Sequence, residues 1–115
     1  MGPDAPQPDT PSPGLDPRAL LEEVLGPLLD DFAASFERGL LLLDHCPETV
    51  RSLQEQHRLR LRLCDAQAEL AAARALRAAA PAPMALDMAT ITPWHTLLVE
   101  VWSLSATLRA IGITP

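Results

Sequence analysis

Leucine and alanine recur every three or four residues through most of this chain, and prolines separate the stretches in which they do so. Spacings of three and four bring side chains to one face of an α-helix, whereas a half-buried strand needs strict alternation. Leucine and alanine also favour helices, and the aromatic residues that favour strands are scarce, with two Phe, two Trp and no Tyr. The sequence therefore predicts an all-α fold.

The first predicted helix covers about residues 17–45. Asp16 can cap it, and Pro17 suits the first helical position. Its apolar stripe keeps its phase across Gly26-Pro27, so we expect a kink there and not a new element. The stripe consists of Leu21, Leu25, Leu28, Phe32, Phe36, Leu40 and Leu43.

The second predicted helix covers about residues 47–80, between the turn at Cys46-Pro47-Glu48 and the stop at Pro81 and Pro83. It carries two apolar stripes on nearly opposite sides, and a helix with two apolar faces needs two neighbours. The longer stripe, expected to be core, is Val50, Leu53, His57, Leu61, Cys64, Ala68, Ala71, Ala75 and Ala78. The second stripe is Leu59, Leu63, Ala66, Leu70 and Ala73.

The third predicted helix covers about residues 93–111, with Thr92 as cap, Pro93 at the first position and Gly112 after the end. Its apolar arc spans roughly 220°, more than one neighbouring face covers. Either the helix lies in a groove or part of the arc meets another chain. The central stripe is Trp94, Leu97, Leu98, Val101, Ser105 and Leu108, and beside it run His95, Val99, Trp102 and Ala106.

These segments predict a three-helix bundle, in which a long antiparallel two-helix hairpin carries a third helix packed on it. The third helix is expected against the second stripe of helix 2 and the edge of helix 1. Residues 16–112 would form a single domain. Residues 1–15 hold five prolines among small and acidic residues, so a disordered tail is expected there.

The distribution of charge argues against a nucleic-acid partner. Residues 1–48 hold ten acids and two Arg, and residues 49–115 hold five acids and seven Arg, so the two parts carry about −8 and +2. This distribution disfavours a nucleic-acid binder, which needs a basic face. The longest apolar run is far below the roughly 18 residues of a transmembrane helix. Two cysteines without a signal sequence indicate a reducing, cytoplasmic location.

No pattern of reactive residues indicates catalysis or metal binding. His57 and Cys64 share a helix face but lie about 10 Å apart along the axis, too far for one ion. Cys46 follows His45 directly, and neighbours in sequence do not face each other on a helix. The five glycines do not cluster into a phosphate loop. We therefore predict no enzyme, no cofactor and no metal site.

Two tracts of the chain are distinctive. The first is the acidic, leucine-rich LEEVLGPLLDDFAASF at residues 21–36, and the second is ITPWHTLLVEVW at residues 91–102, with an Arg- and Ala-rich helix between them. Together they resemble a small family of uncharacterised cyanobacterial proteins. The resemblance covers about residues 20–109 and departs from the family at 33–35, where this chain has Ala-Ala-Ser. It implies a cyanobacterial source and a domain of unknown function, and it carries over no catalytic residue.

We expect a non-catalytic interaction protein, an adaptor or assembly factor, that binds another protein or a second copy of itself. Aromatic residues with a polar edge are common at interfaces. Ordinary core packing is the simpler explanation of the tract at residues 93–102, which holds both tryptophans. A carrier of a small molecule or tetrapyrrole pigment, in a cleft lined by the Trp and His of helix 3, is the alternative. The candidate partner faces are Trp94, His95, Val99 and Trp102, or Leu59, Leu63 and Leu70.

Overall fold

The computed structural model describes residues 17–79 and 88–115, with side chains for 23–79 and 89–115. These residues form three helices: α1 (Pro17–Asp44), α2 (Leu53–Ala79) and α3 (Met88–Ala110). The predicted all-α fold with three helices is therefore confirmed. The predicted tail, the Asp16 cap, the Leu21 side chain and the helix stops at Pro81 and Pro83 lie outside the described residues.

Helix α1 lies between the other two helices. It packs along both α2 and α3, whereas α2 and α3 meet only over a short stretch. Arg60 pairs with Asp44, and Arg74, further along α2, pairs with the earlier Asp30, so α2 runs antiparallel to α1. The third helix thus packs mainly on α1, and its expected placement on the second stripe of α2 is corrected.

The core is built mostly from leucines of all three helices around a small aromatic cluster. In α1 the predicted stripe is confirmed at Leu25, Phe32, Phe36 and Leu43, with Leu28 and Leu40 partly buried. Burial extends beyond that stripe because α1 is covered from two sides. The buried residues are Leu25, Leu29, Phe32, Phe36, Leu42, Leu43, Leu59, Leu63, Ala66, Leu70, Trp94, Leu97, Val101, Leu104 and Leu108.

Helix α1 continues through Gly26-Pro27, as the unbroken phase of its stripe predicted. Proline clashes with the Cβ of the residue before it when that residue is helical. Gly26 has no Cβ, so this clash does not arise. Pro27 itself is exposed, and its ring therefore takes no space in the core.

Helices α2 and α3 both come close to α1 at Gly39. A Cβ at this position would lie 2.7 Å from Cγ2 of Val101 in α3 and 2.9 Å from Cδ1 of Leu63 in α2. The hydrogen of glycine leaves room for both side chains. Two contacts show the direction of α3. Trp94 contacts Phe32, and the later Val101 comes close to the later Gly39, so α3 runs parallel to α1.

Helix α2 begins six residues later than predicted, because Ser52 caps it. The Ser52 amide donates to Glu55 Oε1 at 3.3 Å, and the Glu55 amide donates to Ser52 Oγ at 3.2 Å. This reciprocal arrangement is a capping box, and the sequence carries its Ser-x-x-Glu pattern at residues 52–55. Hydrogen bonds from Ser52 lower the pKa of the Glu55 carboxyl. The predicted start at Pro47 lies in a turn, where the Pro47 carbonyl accepts from the Val50 amide at 3.0 Å.

The two stripes of α2 have the opposite roles from those predicted. The shorter stripe is the buried one, with Leu59, Leu63, Ala66 and Leu70 in the core and Ala73 partly buried. The longer stripe faces solvent over most of its length: Leu53, His57, Leu61, Cys64, Ala68, Ala71, Ala75 and Ala78 are all exposed. The prediction that His57 and Cys64 are core residues is wrong.

Helix α3 begins at Met88, so Pro93 lies inside the helix and not at its first position. Ile91 packs against the core, which favours the earlier start. The predicted end is confirmed, since Gly112 has φ of 85° and its amide donates to the Arg109 carbonyl. The Ile113 amide donates to the Leu108 carbonyl at 2.9 Å, completing a Schellman motif.

Candidate interaction surface

Four of the seven residues in the predicted partner faces lie in the core. Leu59, Leu63 and Leu70 fill the space between α2 and α1, and Trp94 is fully buried. None of them is available to a partner while the three helices remain packed. His95, Val99 and Trp102 are exposed. The structure therefore reduces the candidate surface to one side of α3.

Trp94 is a structural residue that joins all three helices. Its Nε1–H donates to Oε1 of Glu69 in α2 at 3.1 Å, and its ring meets Phe32 of α1 edge-on at a centroid distance of 5.6 Å. Phe32 in turn stacks on Phe36 at 5.9 Å. The polar edge of this indole is thus satisfied within the chain, which is what a buried tryptophan requires.

The exposed side of α3 carries a continuous apolar strip, which we call the α3 outer face and define as His95, Val99, Trp102 and Ala106. Trp102 exposes 59% of its surface and Val99 exposes 45%. Residues at spacings of three and four lie side by side on a helix, so these four residues are neighbours. No described helix covers them.

Charge is nearly absent from α3. Its 23 residues include two charged side chains, Glu100 and Arg109. Glu100 lies on the side of α3 that faces α2, where it pairs with Arg62 at 2.7 Å. Arg109 lies three residues after Ala106 and continues the same side of the helix near its end. The four residues of the α3 outer face therefore include no Asp, Glu or Arg side chain, and Arg109 borders them at one end.

A second exposed apolar strip runs along α2, and its composition differs from that of α3. Leu53 and Leu61 are its large members, and its C-terminal half consists of alanines. Charged side chains border it, among them Arg58, Asp65 and Arg74. Arg74 also bonds to Asp30 of α1 at 2.8 Å.

A cleft of about 300 Å³ lies between α2 and α3. Its lining combines apolar and charged side chains, and Trp94 forms part of one wall while His95 does not. A ligand cleft lined by both the Trp and the His of helix 3 was predicted, and this cleft has Trp94 in its lining without His95. The lining includes Arg62, Asp65, Ala66, Glu69, Trp94 and Leu97.

The two cysteines lie in different surroundings. Cys64 is exposed, whereas Cys46 is half-buried in the turn after α1, and burial raises the pKa of its thiol. Gln56 holds this turn, since its Nε2 donates to the carbonyls of Cys46 at 3.1 Å and Arg51 at 3.0 Å. Among residues 23–79 and 89–115, no three His, Cys, Asp or Glu side chains come together as a metal site would require.

Within the described part of the chain, no helix combines the length and the apolar content needed to cross a bilayer. Helix α3 comes nearest in composition, yet polar and small residues interrupt it throughout.

Comparison with family models identifies one that spans all three helices, from residue 15 to residue 110. The chain belongs to the family DUF2605, described as "Protein of unknown function". The match confirms the resemblance to an uncharacterised family. The DUF2605 region ends at Ala110, the last residue of α3. Neither the search of curated proteins nor the search of solved structures found a match.

Proposed function

We propose that this DUF2605 protein is a non-catalytic helical interaction module, an adaptor or assembly factor, that binds a protein partner through the α3 outer face. The observation that carries the proposal is the exposure of Trp102 beside Val99, on a face without an Asp, Glu or Arg side chain. Large aromatic side chains are the commonest anchors of protein interfaces. Their exposure in water is unfavourable until a partner covers them.

Several charged side chains of the described surface join neighbouring helices, which indicates a structural role for them. Three ion pairs join neighbouring helices, and each has one arginine from α2. Because these charged residues form ion pairs between helices, the proposal assigns none of them a catalytic role, and it includes no cofactor. The pairs are Asp30 with Arg74, Asp44 with Arg60, and Glu100 with Arg62.

The proposal includes a cytoplasmic location and a cyanobacterial source. The free thiols of Cys46 and Cys64 are compatible with a reducing compartment. The source follows from the tracts at residues 21–36 and 91–102, which resemble cyanobacterial proteins.

The test is affinity capture from an extract of the source organism with three baits: the wild-type chain, Trp102→Glu and Leu61→Glu. Leu61 is a matched control, because it exposes 52% of its surface on another helix. We expect Trp102→Glu to lose the captured partner and Leu61→Glu to retain it. Equal capture by all three baits would contradict the proposal. Circular dichroism would establish that each bait is folded.

The second candidate function, a carrier of a small molecule or tetrapyrrole, is favoured by one observation, the position of Trp94 at the cleft between α2 and α3. A volume of about 300 Å³ is the lower end of ligand pockets, which range up to about 1,000 Å³. It suits a small ligand better than a tetrapyrrole. Titration with a bilin or a chlorophyll derivative, followed by absorbance, tests this candidate. An unchanged spectrum with both compounds would eliminate the pigment, and Thr96→Leu, a change at an exposed residue of the cleft lining, is the matched variant for any ligand that binds.

A further inference from the structure

We infer that the cleft between α2 and α3 binds an organic cation, an alkylammonium group with its hydrocarbon chain, beside the carboxylates of Asp65 and Glu69. The inference rests on the second candidate function, because it names the ligand class of the same cleft, and it does not depend on the α3 outer face. The hydrogen-bonding capacity of the cleft lining and its apolar floor carry it.

Two contacts between side chains of α2 and α3 hold the walls of the cleft. Arg62 pairs with Glu100 at 2.7 Å, and Glu69, later in α2, accepts from the earlier Trp94 of α3 at 3.1 Å. The two helices therefore run antiparallel, and Asp65 lies in α2 between the two contacts. Walls that are held within the chain need little rearrangement when a ligand enters, which lowers the cost of binding.

The negative charge of the cleft is not compensated within the described residues. Asp65 and Glu69 are one helical turn apart on α2, so their carboxylates lie on the same side and repel each other. Neither forms an ion pair with a described residue. Arg62, the basic residue of the described lining, is paired with Glu100. A cation beside the two carboxylates would relieve their repulsion.

The donors on the α3 side of the cleft are engaged within the chain, whereas acceptors remain available. The Thr96 hydroxyl donates to the Thr92 carbonyl at 3.1 Å, so its oxygen can only accept from a ligand. The Trp94 indole N–H is likewise used, since it donates to one oxygen of Glu69. The second oxygen of Glu69 and the carboxylate of Asp65 are further acceptors. An ammonium group offers three donors and no acceptor, which matches this set.

The floor of the cleft suits a hydrocarbon chain. Ala66 and Leu97 of the lining are almost fully buried, and Pro93 adds apolar surface beside them. A volume of about 300 Å³ equals that of about ten molecules of liquid water, which is room for an ammonium group and a chain of about six carbons. A ligand that carries carboxylates would be repelled by Asp65 and Glu69.

The test is a titration of the full chain with hexylammonium chloride to about 10 mM, followed by ¹H–¹⁵N NMR spectra. The indole N–H signal of Trp94 should shift, because its acceptor Glu69 lies beside the ligand. The indole signal of Trp102, on the α3 outer face, is the internal reference and should stay in place. We expect a dissociation constant on the order of 1 mM, because the cleft is open to water.

Two further probes separate charge from the hydrocarbon chain. Hexanol has the same chain without the charge, and it should bind at least about tenfold more weakly. Hexanoate carries the opposite charge and should not bind. Raising the salt from about 20 mM to about 300 mM should weaken the binding of hexylammonium, because it screens the attraction.

The matched variants are Asp65→Asn and Asp31→Asn. The Asp65 side chain makes no ion pair with a described residue, so its substitution should leave the fold intact, and it should weaken hexylammonium binding about fivefold. Asp31→Asn, an exposed change on α1, should leave the binding unchanged.

The same ammonium chemistry occurs in free amines and in lysine side chains, and a second titration distinguishes these sources. Nα-acetyl-lysine amide presents the side chain as a protein partner would. A shift of the Trp94 signal with this probe as well would indicate a lysine of a protein partner, whereas a shift with hexylammonium alone would indicate a free amine.

Four results would overturn the inference: no shift of the Trp94 signal, an equal shift of the Trp102 signal, equal binding of hexanol or hexanoate, or hexylammonium binding that Asp65→Asn does not weaken. If a different compound shifts the Trp94 signal and hexylammonium does not, the carrier function stands with another ligand class. Loss of capture by Trp102→Glu concerns the α3 outer face and leaves this inference unaffected.

Discussion

The two apolar stripes of α2 show that regular spacing does not by itself decide which face is buried. Leu61 and Leu63 are two positions apart and point about 200° apart on the helix. Leu63 is fully buried, whereas Leu61 exposes 52% of its surface. The buried stripe holds three leucines within 12 residues, while the C-terminal half of the exposed stripe consists of alanines. Burying a leucine contributes about 1.5–3 kcal/mol, far more than an alanine, so the leucine-rich face packs on α1.

Helix α3 repeats this contrast with its two tryptophans. Trp94 is buried with its indole N–H bonded to Glu69, whereas Trp102 lies on the α3 outer face. In both helices an apolar stripe faces the core and another faces solvent. Charged side chains border the exposed stripe of α2, which also exposes Leu53 and Leu61, whereas Arg109 is the one exposed charge among the described residues of α3. The candidate interface on α3 therefore differs from the exposed face of α2 in charge and not in apolar content.

The largest expected effect comes from Leu63→Ala, compared with Leu61→Ala. Truncation of a buried leucine leaves a cavity, so Leu63→Ala should lower the free energy of unfolding by about 2–5 kcal/mol. Leu61→Ala should change it by less than about 0.5 kcal/mol. Urea denaturation followed by circular dichroism measures both. Equal losses would mean that the two faces of α2 are buried alike.

The next largest effect is expected from Gly39→Ala, at the point where the buried stripe of α2 meets α1 and α3. The new Cβ would press on Val101 and Leu63, which costs about 1–3 kcal/mol and outweighs the roughly 1 kcal/mol by which alanine favours a helix. Val101 is stiff in a helix, so it cannot easily turn away. In a Val101→Ala background the same change should cost less, because only the contact with Leu63 remains. Thermal unfolding of the four proteins gives the coupling, and strict additivity would contradict the close approach.

A smaller effect is expected from Ser52→Ala, which removes the cap of α2 but touches neither stripe. It should lower the free energy of unfolding by about 1 kcal/mol at pH 7. Because the folded pKa of Glu55 is lowered, the contribution of its bonds to Ser52 is complete above the ordinary pKa of 4.5 and is lost as the pH falls through the lowered value.

The difference between wild type and Ser52→Ala should therefore shrink in acid. Ser103→Ala, an exposed change inside α3, is the matched control, and it should be neutral or slightly stabilising at either pH. A difference that persists unchanged well below pH 4.5 would show that the carboxylate is not part of the cap.

The smallest effect is expected from Glu69→Gln, which keeps an acceptor for the Trp94 indole N–H but removes its charge. Hydrogen bonds to ionised groups are stronger than neutral ones, so we expect a loss of about 0.5 kcal/mol. Trp94→Phe tests the donor side of the same bond. If Glu69→Gln destabilised the Trp94→Phe protein as much as the wild type, the bond between α2 and α3 would make no measurable contribution.

Much of the fold could be predicted from the sequence. The phase of the α1 stripe across Gly26-Pro27 predicted one continuous helix, and Gly112 predicted the end of α3, since both depend on residues within a few positions. The predicted start of α2 at Pro47 was wrong, although Ser52 and Glu55 carry a local capping pattern that could have located it. The start of α3 carries no such local pattern, since a helix that contains Pro93 depends on the packing of Ile91 against other helices.

The candidate surface was less predictable than the fold. The apolar arc of α3 includes both Trp94 and Trp102, and the sequence contains nothing that says which part α1 will cover. That choice depends on the close approach of Val101 to Gly39, two residues that are far apart along the chain. Spacing along a helix therefore located the residues, and only the arrangement of three helices separated core from surface.

The central position of α1 also predicts the order in which the helices pack during folding. A connection of eight residues joins α1 to α2, so these two helices can meet by closing a short loop, at small entropic cost. We expect helix α3 to dock last, because its contacts with α1 are distant in sequence and cost more entropy to close. The α3 outer face is presented in its native arrangement only after this last step. Recognition through Trp102 would thus be restricted to chains that have finished folding.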